Sequence, residues 1–230
     1  MRVIIFGASG LVGQGALRAC LLDERVEEIL AVVRRPLNSG HAKVREIVHA
    51  DFTDYTAIQD RLSDLDACLF CLGVSSIGTG EEEYSHITRD YTLAAARALA
   101  AASPSLTFVY VSGQGTDSTE SGRLMWARVK GRTENELLAM PFHAYMFRPG
   151  YIQPVNGVVS RTRLYRALYR VASWLYPTLR RLAPDHVTTT EILGRAMVAV
   201  TGLKGDGPTI LRVPDINRLG AGPARGAGRV

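Results

Sequence analysis

Short apolar runs recur along the chain at intervals that leave room for a helix between them. Val3–Phe6, Ile29–Val33, Val44–His49, Ala67–Leu72, Leu106–Val111 and Ala144–Phe147 read as strands. Between them, Leu11–Leu22, a short turn after Asp54, Tyr91–Ala102 and Arg123–Leu138 read as helical. The stretch Ala102–Pro104 is a helix stop, with proline just beyond the last periodic residue. Strand–helix alternation at this spacing predicts an α/β fold with a doubly wound parallel sheet. Ile210–Val213 adds one late strand, and no internal repeat is visible.

Past Gly157 the pattern changes. Arg161–Tyr176 is rich in Arg, Leu and Tyr, looks helical and ends at Pro177. In open sheets late segments cover the carboxyl edge of the strands, where ligands sit. Residues 151–218 are therefore read as a small substrate-cleft segment of one domain spanning 1–218. From Leu219 to Val230 the chain is mostly Gly, Ala and Arg, too poor in apolar surface to fold, and is predicted to be a disordered tail.

A length of 230 residues with 47% hydrophobic content fits one large globular domain. The net charge of +5 suits anionic ligands but singles out none, and nothing points to nucleic acid. Three cysteines exclude a disulfide scaffold. Cys68 and Cys71 have redox-motif spacing inside a predicted strand, where positions three apart face opposite sides, so they read as two buried thiols. The histidines at 41, 49, 86, 143 and 186 form no ligand pattern, so no metal site is expected. The opening Met-Arg-Val-Ile-Ile-Phe is too short for a signal peptide, and no run approaches the roughly 18 apolar residues of a membrane span. A cytoplasmic protein is expected.

The first strand runs into Gly7-Ala8-Ser9-Gly10-Leu11-Val12-Gly13, and a helix follows. The first glycine permits a tight turn, the second lets backbone approach a pyrophosphate, and the third allows close helix–strand packing. With Ser9, Leu11 and Val12 they form a candidate dinucleotide site at a helix N-terminus, whose free N–H groups and dipole favour phosphates. About 20 residues past the glycines, where an acidic residue would bind the ribose 2′-hydroxyl of NAD, the second strand ends in Arg34-Arg35. A guanidinium can pair bidentately with a 2′-phosphate, which favours NADP(H) over NAD(H). Asp51 and Phe52 follow the third strand beside the expected adenine, although Asp51 is also a candidate N-cap. Cys71, Leu72 and Gly73 follow the fourth strand, where they should run past the cofactor's ribose.

Taken in order, Gly7–Gly13, Arg34-Arg35, Asp51-Phe52, Cys71-Leu72-Gly73, Arg89-Asp90-Tyr91 and Arg148-Pro149-Gly150 resemble an atypical short-chain dehydrogenase/reductase over roughly residues 1–215. The nearest likeness is to the Tat-interacting-protein oxidoreductases, beside the NmrA-like and epimerase families. The resemblance implies a Rossmann fold, a nicotinamide cofactor, and reduction through a Ser or Thr after the fifth strand with Tyr-x-x-x-Lys on the next helix. Lys130 occupies the lysine position, where the family's lysine grips the nicotinamide ribose. Trp126 stands where the tyrosine belongs, and an indole cannot serve as a general acid near neutral pH. Gly113 aligns with the serine, and Ser112 comes one residue early. Tyr84, Tyr91 and Tyr151 are the candidates for a substitute acid.

Two further readings stay open. The stretch 161–181 interleaves arginines with Leu, Tyr and Trp: it can cover the cleft, lie on an anionic membrane surface or bind a protein partner. The altered Ser and Tyr positions fit an NADPH-dependent reductase or epimerase-like enzyme acting on an unidentified small molecule. The alternative is a non-catalytic NADP(H) sensor or partner-binding protein, and a third, weaker reading is an inert subunit that keeps the fold alone.

Overall fold

The computed structural model describes residues 1–158, 176 and 178–222. Seven parallel strands form one sheet: β1 (Arg2–Phe6), β2 (Glu28–Val33), β3 (Val44–Val48), β4 (Ala67–Phe70), β5 (Thr107–Val111), β6 (His143–Arg148) and β9 (Ile210–Arg212). Their order is β3-β2-β1-β4-β5-β6-β9, doubly wound about β1 and β4 as the alternation predicts. A second, two-stranded sheet pairs β7 (Tyr151–Gln153) in parallel with β8 (Val187–Thr189).

Central strands are buried on both faces, and alternate residues feed two cores. From β1, Ile4 and Phe6 join Leu93, Ala96 and Leu99 of α3 (Tyr91–Ala102) and Leu137 of α4 (Met125–Leu138). Val3 and Ile5 join Ala16 and Cys20 of α1 (Leu11–Leu22), Met197 of α5 (Thr190–Val200) and Ile216 of α6 (Val213–Ala221). Full burial of such a side chain contributes about 1.5–3 kcal/mol. Where α1 crosses α5, Gly15 and Gly194 bring the two backbones together: a methyl on either would overlap the other helix's backbone or Thr190 O.

Several elements differ from the sequence reading. The third and fourth strands stop at Val48 and Phe70, before His49 and Leu72. The thiols nevertheless diverge as the alternation predicts: Cys68 packs in the first core and Cys71 against the second. Burial raises both thiols above their ordinary pKa. The helix α3 keeps the expected bounds Tyr91–Ala102, but unforeseen helical structure precedes it. A short helix α2 (Glu81–Ser85) and a π-helical turn (His86–Asp90) lead into α3. Gly80 precedes three glutamates in that first turn, a favourable charge for a helix N-terminus. The strands β7 and β8 and the helices α5 and α6 are also unforeseen. Thr189 starts α5 by accepting from Ile192 N at 3.0 Å.

Leu219, Gly220 and Ala221, read as the start of a disordered tail, close α6 instead. Gly220 packs there so tightly that a methyl would strike Ile192 O. Residues 223–230 lie outside the described residues, as do 161–175 and 177 of the basic aromatic stretch. No helix among the described residues is long and apolar enough to cross a membrane.

Candidate functional site

Strand order reverses between β1 and β4, and ligands of open α/β sheets bind at the carboxyl ends of such a switch point. Here the loops after these two strands touch. Gly7 has φ +75, and a methyl on it would lie 2.7 Å from Leu72 N. A methyl on Gly13 would overlap Gly7 O, so the start of α1 is pressed onto the turn. Gln14 Nε2 donates to Ser9 O at 3.1 Å and fixes the loop. Gly10 begins α1 without any side-chain cap, and its first turn holds no acidic residue. The first N–H groups of that helix therefore keep their affinity for an anion.

Beside this turn opens a cleft of about 660 Å³. Five segments line it: Gly10–Val12, Cys71–Gly73, Val111–Gln114, Trp126 with Lys130, and Pro149–Ile152. The cleft thus gathers Gly10, Leu11, Val12, Cys71, Leu72, Gly73, Ser112 and Lys130. Arg34 and Arg35 lie apart from it, exposed just past the end of β2, and among the described residues neither forms an ion pair.

Asp51 and Phe52 also lie outside the cleft. Phe52 is a core side chain, edge-on to Phe6 and stacked on Tyr91 with centroids 5.8 Å apart. Asp51 Oδ1 accepts from Thr53 N at 2.8 Å and Thr53 Oγ1 at 2.5 Å within a turn, and it caps no helix: the next helical turn starts at Thr56 after Tyr55. These bonds hold its carboxyl below the usual range.

The chemistry of the cleft centres on Lys130. Its Nζ donates to Ser112 O at 2.7 Å and Val111 O at 3.3 Å. Burial pulls its pKa down to about 8, against the attraction of Glu134 one helical turn away. Ser112 Oγ donates to Glu134 Oε1 at 2.5 Å. That bond turns the hydroxyl toward a buried carboxylate. Trp126 packs against Gly115 in the cleft wall. Of the substitute acids, Tyr84 is buried, its phenol raised by desolvation, and Tyr91 stacks on Phe52. Only Tyr151 lines the cleft, with its hydroxyl donating to Gln153 Oε1 at 2.9 Å.

Three residues at the site escape the sequence reading. Glu134 is fully buried and ion-paired to Arg148, whose Nε donates to both carboxylate oxygens at 3.1 Å. Gln114 Nε2 and His186 Nδ1 lie 2.6 Å apart at the rim. The available signal for Glu134 is its i,i+4 spacing from Lys130 on a helix.

Residues 3–119, half of the chain, match the sequence profile of the NAD dependent epimerase/dehydratase family. "Leucinostatins biosynthesis cluster protein T" of Purpureocillium lilacinum is 30% identical over 143 residues, 61% of this chain. The match spans about half of that protein's length, 52%. "Protein fmp52-1, mitochondrial" of Aspergillus terreus (strain NIH 2624 / FGSC A1156) is 26% identical over 237 residues, covering 95% of this chain and 98% of that one. Its name does not repeat the cytoplasmic expectation. Among solved structures, an oxidoreductase of the short chain dehydrogenase/reductase family from Burkholderia thailandensis shares the fold with a TM-score of 0.68. It is 17% identical, and the match covers 94% of this chain and 92% of that one.

Proposed function

Because this chain belongs to the NAD dependent epimerase/dehydratase family, we propose that it binds NADP(H) along the carboxyl edge of its sheet and acts as an oxidoreductase-like protein with altered acid groups. The observation that carries this reading is the fit of the turn after β1. Its glycines pack the loop against α1, and the uncapped helix start supplies N–H donors for a pyrophosphate. Gly10 and Gly73 present no side chain on the ligand side, and a methyl on Gly73 would meet nothing within 4 Å. Lys130 sits in the same cleft to serve the ribose. When bound, the nicotinamide supplies the hydride chemistry.

Arg34 and Arg35 support the choice of NADP(H). Two exposed guanidiniums without an acidic partner among the described residues leave their charge available to a 2′-phosphate. Replacing both with alanine is expected to weaken NADPH binding by roughly 10- to 100-fold, the loss of charged hydrogen bonds of about 1.5–3 kcal/mol. NADH binding should stay within about twofold, since no charged bond of this kind is lost to it. Calorimetric titration of the double variant with each nucleotide checks this. Equal losses for both would contradict the 2′-phosphate assignment.

A non-catalytic NADP(H) sensor is the second reading, favoured by Trp126 in place of a phenol and by the Ser112 hydroxyl bonded to Glu134. General acid assistance contributes about 10²- to 10⁴-fold, so turnover without it should be slow. Tyr151 is the acid that lines the cleft. If NADPH oxidation with a carbonyl substrate is detected, Tyr151→Phe is expected to reduce it.

A further inference from the structure

Building on the proposed dinucleotide site, we infer that Glu134 is a positioning residue that shapes the cleft from beneath and sets the strength and pH range of dinucleotide binding through Lys130. Its carboxylate does not line the cleft, yet it bonds to two parts of the wall and stands near a third. It accepts from Ser112 Oγ, which holds the turn after β5. It pairs with Arg148, directly before the lining residues Pro149 and Gly150. On its own helix it stands one turn below Lys130.

Lys130 grips Ser112 by the backbone carbonyl while Glu134 grips the same residue by its hydroxyl. The backbone of α4 closes these two bonds into a ring with the β5 turn. Lys130 has three N–H donors, and two are spent on the carbonyls of Val111 and Ser112. The ring therefore sets where the third can act. Burying a carboxylate costs several kcal/mol unless it is well paired, and an apolar pair of the same volume is often as stable. Stability alone gives a weak reason for a charge here.

Charge gives a stronger one. Lys130 is the only charged side chain among the described residues that line the cleft. From its own helix it faces Glu134. From β5 it faces the Tyr110 ring, 5.7 Å from Nζ, and the two carbonyls. Arg148 of β6 lies across the Glu134 carboxylate. Cys71 lines the cleft from the β4 loop with its thiol kept protonated by burial. Among the described residues Glu134 is thus the carboxylate whose charge favours the ammonium, beside the Tyr110 ring and the two carbonyls, and it opposes a desolvation that pulls Lys130 down to about 8.

The test is NADPH titration of wild type, Glu134→Gln, Lys130→Met and the double variant across a pH range that brackets 8. Wild-type affinity should fall as pH rises through about 8, where Lys130 loses its charge. Glu134→Gln should bind on the order of tenfold more weakly at neutral pH, with its midpoint moved to lower pH. Lys130→Met should show no such midpoint, and adding Glu134→Gln to it should cost little more. Glu134→Asp should restore part of the affinity.

An unmoved midpoint in a folded Glu134→Gln, or the same loss with and without Lys130, overturns the inference and marks Glu134 as a fold-holding group. If Glu134→Gln does not fold, Ser112→Ala decides. It keeps the ion pair but cuts the carboxylate from the turn, so affinity should drop several-fold, and unchanged affinity overturns the inference. A wild type that binds neither NADPH nor NADH removes the dinucleotide reading itself and this inference with it.

Discussion

Replacing Arg148 with alanine is expected to remove about 3–5 kcal/mol of folding stability, the cost of leaving a buried charge without its partner. Glu134 is fully buried, and Arg148 supplies its bidentate bonds from the neighbouring strand. The guanidinium also donates to Ser118 Oγ at 2.5 Å and so ties the loop before α4 to β6. With alanine at 148, the carboxylate would keep only Ser112 as a hydrogen-bond donor. It would take up a proton or admit water. Most domains have a stability of only about 5–15 kcal/mol, so the variant should unfold at much lower denaturant. Urea melts of Arg148→Ala and of the pair Glu134→Leu/Arg148→Met check the cause, because removing both charges should recover most of the loss. A loss below about 1 kcal/mol would show a pair that behaves as a solvent-exposed one.

Gly13→Ala should have the second large effect, this time on binding more than on folding. The added methyl would overlap Gly7 O, so turn and helix must part. Overpacking of this kind costs about 1–3 kcal/mol of stability. Nucleotide affinity should fall by on the order of 100-fold or more, about 2.7 kcal/mol, because the N–H groups at the start of α1 would lose their arrangement. Gly10→Ala separates the two effects. Its methyl would stand 3.3 Å from Gly7 O and meet no other atom within 4 Å, so the fold should hold. It should still weaken binding by intruding where backbone and pyrophosphate approach. Wild-type affinity in a folded Gly10→Ala would count against a phosphate at this turn.

The parts legible in the sequence are those whose cause is local. Alternation of Ile4 and Phe6 with Val3 and Ile5 feeds two cores, and runs such as Ala67–Phe70 are apolar because both faces are covered. The bounds of α1 can be read from Gly10 and the apolar period to Leu22. The glycine turn and the place of Arg34 and Arg35 past the second strand follow from spacing along the first βα unit, whereas Lys130 is legible only through the family resemblance.

What escaped depends on contacts between distant residues. The strands β7 and β8 hold three residues each and become strands only by pairing Tyr151 with Val187 and Gln153 with Thr189. The π-helical turn at His86–Asp90 follows a polar first turn without apolar periodicity. The aromatic packing of Phe52 cannot be read from its chain position after the third strand. It comes from tertiary contacts, with Phe6 edge-on and Tyr91 stacked. Glu134 carries the charge that usually marks a solvated helix face, and only its meeting with Arg148 makes it an interior residue. Leu219–Ala221 look like tail by composition, yet Gly220 lets α6 lie close on α5.

The most direct measurement is a calorimetric titration of the wild-type protein with NADPH and with NADH at neutral pH. Saturable binding of both, with NADPH clearly tighter, is the predicted result. Absence of binding by either nucleotide would contradict the proposed function.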